Sequence, residues 1–137
     1  MVAQEMDRFK SGRSAQFFVA AELTRRGYDV SLDKDSHSAR LSATSPKRTS
    51  FRVQCHNRKN QEVSWVVEPF KEDKSLYFVL VVAELESPYS SPQYWTLSSS
   101  AMNKIINAYM SRNPAAKSVN VMTSDVKQYE GWTRLPQ

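Results

Sequence analysis

The sequence predicts an α/β fold. A single domain over residues 1–137 would carry an N-terminal helix, then a central mixed β-sheet flanked by helices. Three observations point there. Residues 12–26 follow a helical pattern that stops at Gly27. Residues 39–44 and 51–56 alternate apolar and polar side chains around a breaker-rich turn, as a hairpin does. Residues 76–83 are apolar throughout, which a strand tolerates only when both its faces are covered. At 137 residues, 40% hydrophobic and 24% charged, the chain has enough material for one core and too much for wholesale disorder.

The elements follow in order. The first helix is expected to start at Gln4 or Ser11 and end at Arg26, with Phe9, Phe17, Ala20, Ala21 and Leu23 as its apolar stripe. Gly27 stands where a left-handed cap is wanted, behind Arg25 and Arg26 in the negative last turn. Residues 28–32 read as a short strand and residues 33–38 as a polar loop. In the hairpin, Leu41 and Ala43 alternate with Ser42 and Thr44. Phe51, Val53 and Cys55 then share one face, with Arg52, Gln54 and His56 on the other. Residues 57–62 read as an exposed loop and 65–67 as a short apolar segment. Residues 76–83 form the central strand and 93–97 a further one after the Pro- and Ser-rich turn at 87–92. Ser98, Ser99 or Ser100 caps a second helix that turns Met102, Ile105, Ile106, Tyr109 and Met110 inward. A strand at 119–122 and a helical turn near 124–129 close the fold.

Composition excludes several classes. The one cysteine, Cys55, cannot form an intramolecular disulfide and fits a reducing compartment. The first residues lack the basic-then-apolar order of a signal peptide, and the longest apolar run is too short to span a bilayer as a helix. The expectation is a cytoplasmic protein with no membrane partner. Three glycines leave no room for a Walker loop or a dinucleotide fingerprint. Cys55 and His56 are adjacent on a strand and point to opposite faces, so neither a zinc site nor a Cys–His nucleophile fits them. Trp65, Trp95 and Trp132 read as packing residues.

Charge is uneven along the chain. Residues 1–60 hold 12 Lys and Arg against 6 Asp and Glu, while residues 61–137 hold 7 against 8. Residues 36–61 carry Arg40, Lys47, Arg48, Arg52, Arg58 and Lys59 and no acid. Such a strip attracts phosphate backbones in a salt-dependent way.

The order helix, Gly27, strand and hairpin, together with the spacings Gly12-x-x-x-Gln16, Ala39-Arg40-Leu41-Ser42-Ala43 and Gln54-Cys55-His56, resembles the PD-(D/E)xK nuclease superfamily. The likeness is to Holliday-junction-resolvase-like members with a restriction-endonuclease-like fold. It covers residues 11–58 well and extends loosely to the ending Val126-x-x-Tyr129-x-Gly131-Trp132-x-x-Leu135. The resemblance implies metal-dependent phosphodiester hydrolysis. An acid on each hairpin strand would hold Mg²⁺, and a lysine two residues beyond the second acid would stabilise the charged phosphate. Here the matching positions are Gln16, Arg40, Gln54 and His56, a degenerate set without an anionic cage.

The resulting expectation is a catalytically inactive nuclease-fold protein that binds nucleic acid, DNA first, and needs no cofactor or metal. Arg13, Arg40, Lys47, Arg48, Arg52, His56, Arg58 and Lys59 would make the contact. One alternative is an active, divergent Mg²⁺-dependent endonuclease or resolvase using Glu22, Asp33 or Asp35. Another is a homodimer or a subunit docking a partner protein, with an apolar surface around residues 88–95.

Overall fold

The computed structural model describes residues 3–33, 39–59, 62–83 and 91–137, with the side chains of the first helix described from Gly12 onward. In chain order the elements are α1 (Ala3–Arg25), β1 (Asp29–Leu32), β2 (Arg40–Thr44), β3 (Ser50–Arg58), β4 (Ser64–Val67), β5 (Leu76–Val82), β6 (Gln93–Ser98), α2 (Ser99–Arg112) and β7 (Val119–Met122). Single 3₁₀ turns at Thr123–Asp125 and Lys127–Tyr129 replace the expected helical turn near 124–129.

A five-stranded sheet runs in the order β1-β2-β3-β5-β6, and β4 and β7 pair as a separate two-stranded sheet. The β3–β5 pair is parallel and the other neighbours are antiparallel, so the central sheet is mixed as the sequence predicts. β5 lies between β3 and β6, and its alternation feeds two cores. Val79 and Val81 face α1, while Leu76, Phe78, Leu80 and Val82 face α2 and the β4–β7 pair.

α1 packs on the first core through Ala15, Val19 and Leu23, spaced four residues apart, with Phe18 and Ala20 at the sides. This differs from the expected stripe. Phe17 is 56% exposed and Ala21 is exposed, because the inward face also takes the polar Gln16, which shifts the apolar stripe. The Phe9 side chain lies outside the described residues. Close approach of α1 to the start of β2 depends on Gly12, where an added Cβ would meet Ala39 Cβ at 3.3 Å.

The helix ends as its sequence dictates. Gly27 adopts φ +91°, and the amides of Gly27 and Tyr28 donate to the carbonyls of Thr24 and Leu23. At the hairpin turn the Arg48 amide donates to the Ser45 carbonyl at 2.8 Å, around Pro46. Arg48 itself takes φ 70° without being glycine.

β3 runs to Arg58, further than its alternation implied, so residues 57–62 are not simply a loop. The polar pair Asn57-Arg58 hid this, yet Arg58 is buried against the Trp65 ring, with its Cζ 4.5 Å from the ring centroid. α2 is capped by Ser98, whose Oγ accepts from the Ala101 amide at 3.1 Å. The outer edge of β6 is covered by the C-terminal segment. The Gly131 amide donates to the Tyr94 carbonyl, and the Thr96 hydroxyl donates to the Gly131 carbonyl. Leu135 is buried in the first core, and the Tyr28 hydroxyl donates to the Pro136 carbonyl at 2.7 Å. Among the described residues no helix is long and apolar enough to cross a membrane.

At Gly27 an added Cβ would meet Pro46 Cγ only at 3.6 Å, an ordinary contact, so a substitution there is opposed by the backbone alone. Gly27→Ala is expected to cost about 1–2 kcal/mol, read as a lower urea midpoint with an unchanged slope.

Candidate functional site

The two faces of the β1–β2–β3 meander have opposite characters. Val30, Leu41, Ala43, Phe51, Val53 and Cys55 pack toward α1. The alternate residues form cross-strand rows on the far face. Asp29, Thr44 and Ser50 make one row, and Ser31, Ser42 and Arg52 the next. Arg40 stands opposite Gln54 in a third. α2 packs against β5, β6 and β7 and does not extend over these rows. Asp29, Ser31, Ser42, Ser50 and Arg52 are therefore exposed, and Arg40, Thr44 and Gln54 half-buried.

Arg40 is the centre of this face. Its Nε donates to Gln54 Oε1 at 2.6 Å. That bond leaves the terminal nitrogens of the guanidinium and the Gln54 amide nitrogen as hydrogen-bond donors. Among the described residues Arg40 has no carboxylate partner. The neighbouring arginines differ. Arg52 forms an ion pair with Asp73, and Arg48 pairs with Asp29 at 2.8 Å. Asp73 is held below the usual carboxylate range chiefly by the Ser75 amide and hydroxyl, with Arg52 adding to the effect. The strip that has no acid in sequence thus acquires two in space. Lys47 is exposed on the hairpin turn, and Lys59 is exposed just beyond β3.

The remaining expected site residues are held elsewhere. Gln16 is fully buried on the opposite, α1 side of the sheet, away from the side chains of Arg40, Gln54 and His56. Its amide nitrogen donates to the carbonyls of Asp33, at 3.1 Å, and Arg40, while its Oε1 accepts from Arg13 at 3.0 Å. Gln16 is a clamp joining α1 to the end of β1 and the start of β2, and Arg13 sits with it.

His56 shares the face of Gln54 but lies under cover. Its ring stacks on Phe78 at 6.1 Å, and Nε2 is buried without a hydrogen-bond partner. Burial lowers its pKa from 6.5 to about 4, so the ring is neutral at pH 7 and supplies no cation. Arg58 is occupied inside the protein. It donates to the Glu62 carbonyl and to Thr123 Oγ1 and stacks over Trp65.

Among the described residues one acid, Asp33, neighbours Arg40, standing opposite it across the β1–β2 pair with its amide donating to the Arg40 carbonyl at 3.0 Å. Glu22 is paired with Arg25 at 2.5 Å and Arg26 at 3.0 Å, and the Arg25 hydrogen bond is the main reason its carboxyl titrates low. Asp33 ends β1. Asp35 and His37 lie outside the described residues. Among the described residues no three His, Cys, Asp or Glu side chains stand together as a metal cage. Arg40 and Gln54, the positions at which the resemblance would expect metal ligands, do not suit Mg²⁺, since one is a guanidinium and the other's oxygen already accepts from it. Cys55 is a buried core residue whose thiol burial pushes up, so it is inert. Trp65 and Trp95 pack edge to face at 5.2 Å within the second core, and Trp132 packs against Tyr94 at 4.7 Å. The apolar surface expected around residues 88–95 is not formed by Trp95, which is buried; residues 84–90 lie outside the described residues.

Sequence reasoning found Arg40 and Gln54 together but missed the acids that neutralise Arg48 and Arg52, since Asp29 and Asp73 reach them only through the fold. The hydroxyls of Ser42 and Thr44 were legible from strand alternation alone. No family model, curated protein or solved structure matches the chain.

Two outcomes follow. An unfolded chain protonates His56 near 6.5 and the folded chain only near 4, so His56 costs no stability above pH 6.5 and an increasing amount as pH falls toward 4. The loss reaches at most about 3 kcal/mol. His56→Phe is expected to flatten this limb in urea midpoints measured from pH 7 to 4; an unchanged limb would place the titration elsewhere. Gln16→Glu sets a carboxylate against two carbonyls and is expected to lower stability by about 1–3 kcal/mol without creating Mg²⁺-dependent stabilisation in a thermal-shift assay.

Proposed function

We propose that this chain is a nuclease-framework protein that holds nucleic acid, DNA first, on the open face of β1–β3 and does not cut it. The observation that carries the reading is Arg40, a cation without a carboxylate partner among the described residues, placed where the resembled framework requires a metal-binding acid. The N-terminal helix, the antiparallel meander and the mixed sheet support kinship with the restriction-endonuclease-like fold.

The chemistry is that of a holding surface. Hydrolysis needs a divalent cation to stabilise the scissile phosphate and to lower the pKa of the attacking water. A guanidinium repels that cation but attracts the phosphate itself, and its planar fork matches a pair of phosphate oxygens. The surrounding hydroxyls add donors without adding charge. Lys47 and Lys59 extend the positive field along the hairpin. Arg48 and Arg52 contribute donors whose charge is already compensated, and His56 and Arg58 contribute to the core.

Fluorescence anisotropy with labelled DNA and RNA at low salt tests the reading. Arg40→Glu is expected to weaken binding at least about tenfold, or about 1.4 kcal/mol. Lys47→Glu should act less strongly, and Lys104→Glu on α2 should change little. DNA incubated with Mg²⁺ or Mn²⁺ should remain intact. Absence of binding to duplex, branched and single-stranded forms would overturn the reading. Cleavage that disappears in Asp33→Ala would establish the divergent enzyme instead.

A further inference from the structure

The geometry points to a single phosphomonoester group, such as the 5′-phosphate of a nucleic-acid end, as the ligand of the Arg40–Gln54 pair. The inference rests on the phosphate-holding reading above and specifies how many phosphates the face takes and of which kind.

The first argument is the distribution of uncompensated charge. A protein that tracks a nucleic-acid backbone neutralises several successive phosphates with Lys and Arg. On this face Arg48 is paired with Asp29 and Arg52 with Asp73, so neither supplies net charge. The next uncompensated cation toward the hairpin turn is Lys47. Four strand steps, about 13 Å at strand rise, separate Arg40 from the end of β2 at Thr44, and Lys47 lies three residues further on in the turn. Phosphates on one strand recur about every 3.4 Å along the helix axis. Several would therefore pass between Arg40 and Lys47 with no cation opposite them. The pattern fits an isolated anion site better than a track.

The second argument is the donor set. Arg40 Nε is used on Gln54 Oε1, which orients both side chains and fixes the amide so that its nitrogen is the free end. The two terminal guanidinium nitrogens remain as a fork for two oxygens of one anion. The Gln54 amide nitrogen offers a third donor, and Ser42, next on the same face of β2, carries a hydroxyl flanked by Ser31 across the strand pair. A phosphomonoester presents three terminal oxygens and about −1.5 to −2 charge at neutral pH. A backbone diester presents two such oxygens and one charge. With one guanidinium available, the more highly charged group with the extra oxygen gains most. Among the described residues the cross-strand rows of β1–β3 carry no exposed aromatic side chain on which a base could stack, so recognition falls on the phosphate.

The test compares a short single-stranded DNA bearing a 5′-phosphate with the same strand bearing a 5′-hydroxyl, alongside adenosine 5′-monophosphate, by titration with the full chain. The expected result is at least about tenfold tighter binding of the phosphorylated strand, with a log–log salt slope near −1. Arg40→Lys keeps the charge but loses the fork and should remove most of the preference. Gln54→Glu should remove it by pairing Arg40 internally, with unfolding midpoints confirming that both variants fold. Equal binding of the two strands with a slope steeper than about −3 would overturn this inference while leaving nucleic-acid binding intact. Binding of the monophosphate but of neither strand would support the phosphomonoester site and overturn the nucleic-acid reading. Binding of none of the three would overturn both.

Discussion

Everything in this molecule turns on the alternation of β3 between two unlike environments. On one side Phe51, Val53 and Cys55 seal the core beneath α1. On the other, Arg52, Gln54, His56 and Arg58 pass in sequence from open solvent to full burial. Parallel pairing with β5 sets where that passage occurs, because α2 and the β4–β7 pair cover β5 and β6 and stop short of β2. A slip of one residue would bury Arg52 and Gln54 and expose Phe51 and Val53, so the hydrophobic pattern holds the register firmly. The open face is what remains of the sheet after the second core has covered what it can.

That gradient decides the roles of basic residues that look equivalent in sequence. Arg58 falls under the second core, where Trp65, Thr123 and the Glu62 carbonyl occupy it. His56 falls at the boundary and loses its charge to desolvation. Arg52 is exposed but meets Asp73, and Arg48, at positive φ on the turn, meets Asp29. Exposed pairs of this kind add little to stability. Their consequence is electrostatic, since each pair offsets the charge of its arginine, while Arg40 has no ion pair among the described residues. Gln16 supports the same residue from below by holding the Arg40 carbonyl through the sheet's other side.

Much of this was written in the local pattern. Gly27 marked the helix end, the uniform apolarity of residues 76–83 marked a strand between two cores, and the serines at 98–100 marked the second helix start. These signals act over a few residues. The phase of α1 was not legible, because a polar Gln16 occupies an inward position that periodicity assigns to an apolar side chain, leaving Phe17 outside. The true end of β3 was hidden because burial of Arg58 depends on partners far along the chain. Pairing of β4 with β7 and the neutralisation of Arg48 and Arg52 have the same origin. The candidate site was therefore legible as a face and not as a charge distribution.

The central claim is the proposal that nucleic acid meets the open face around Arg40. Amide chemical-shift mapping of isotope-labelled protein during titration with single-stranded DNA tests it most directly. The account predicts shifts concentrated at residues 40–44 and 50–54, with lesser changes at the 45–49 turn and little at α2 or β7. Shifts centred on α2, or none at saturating DNA, would contradict it.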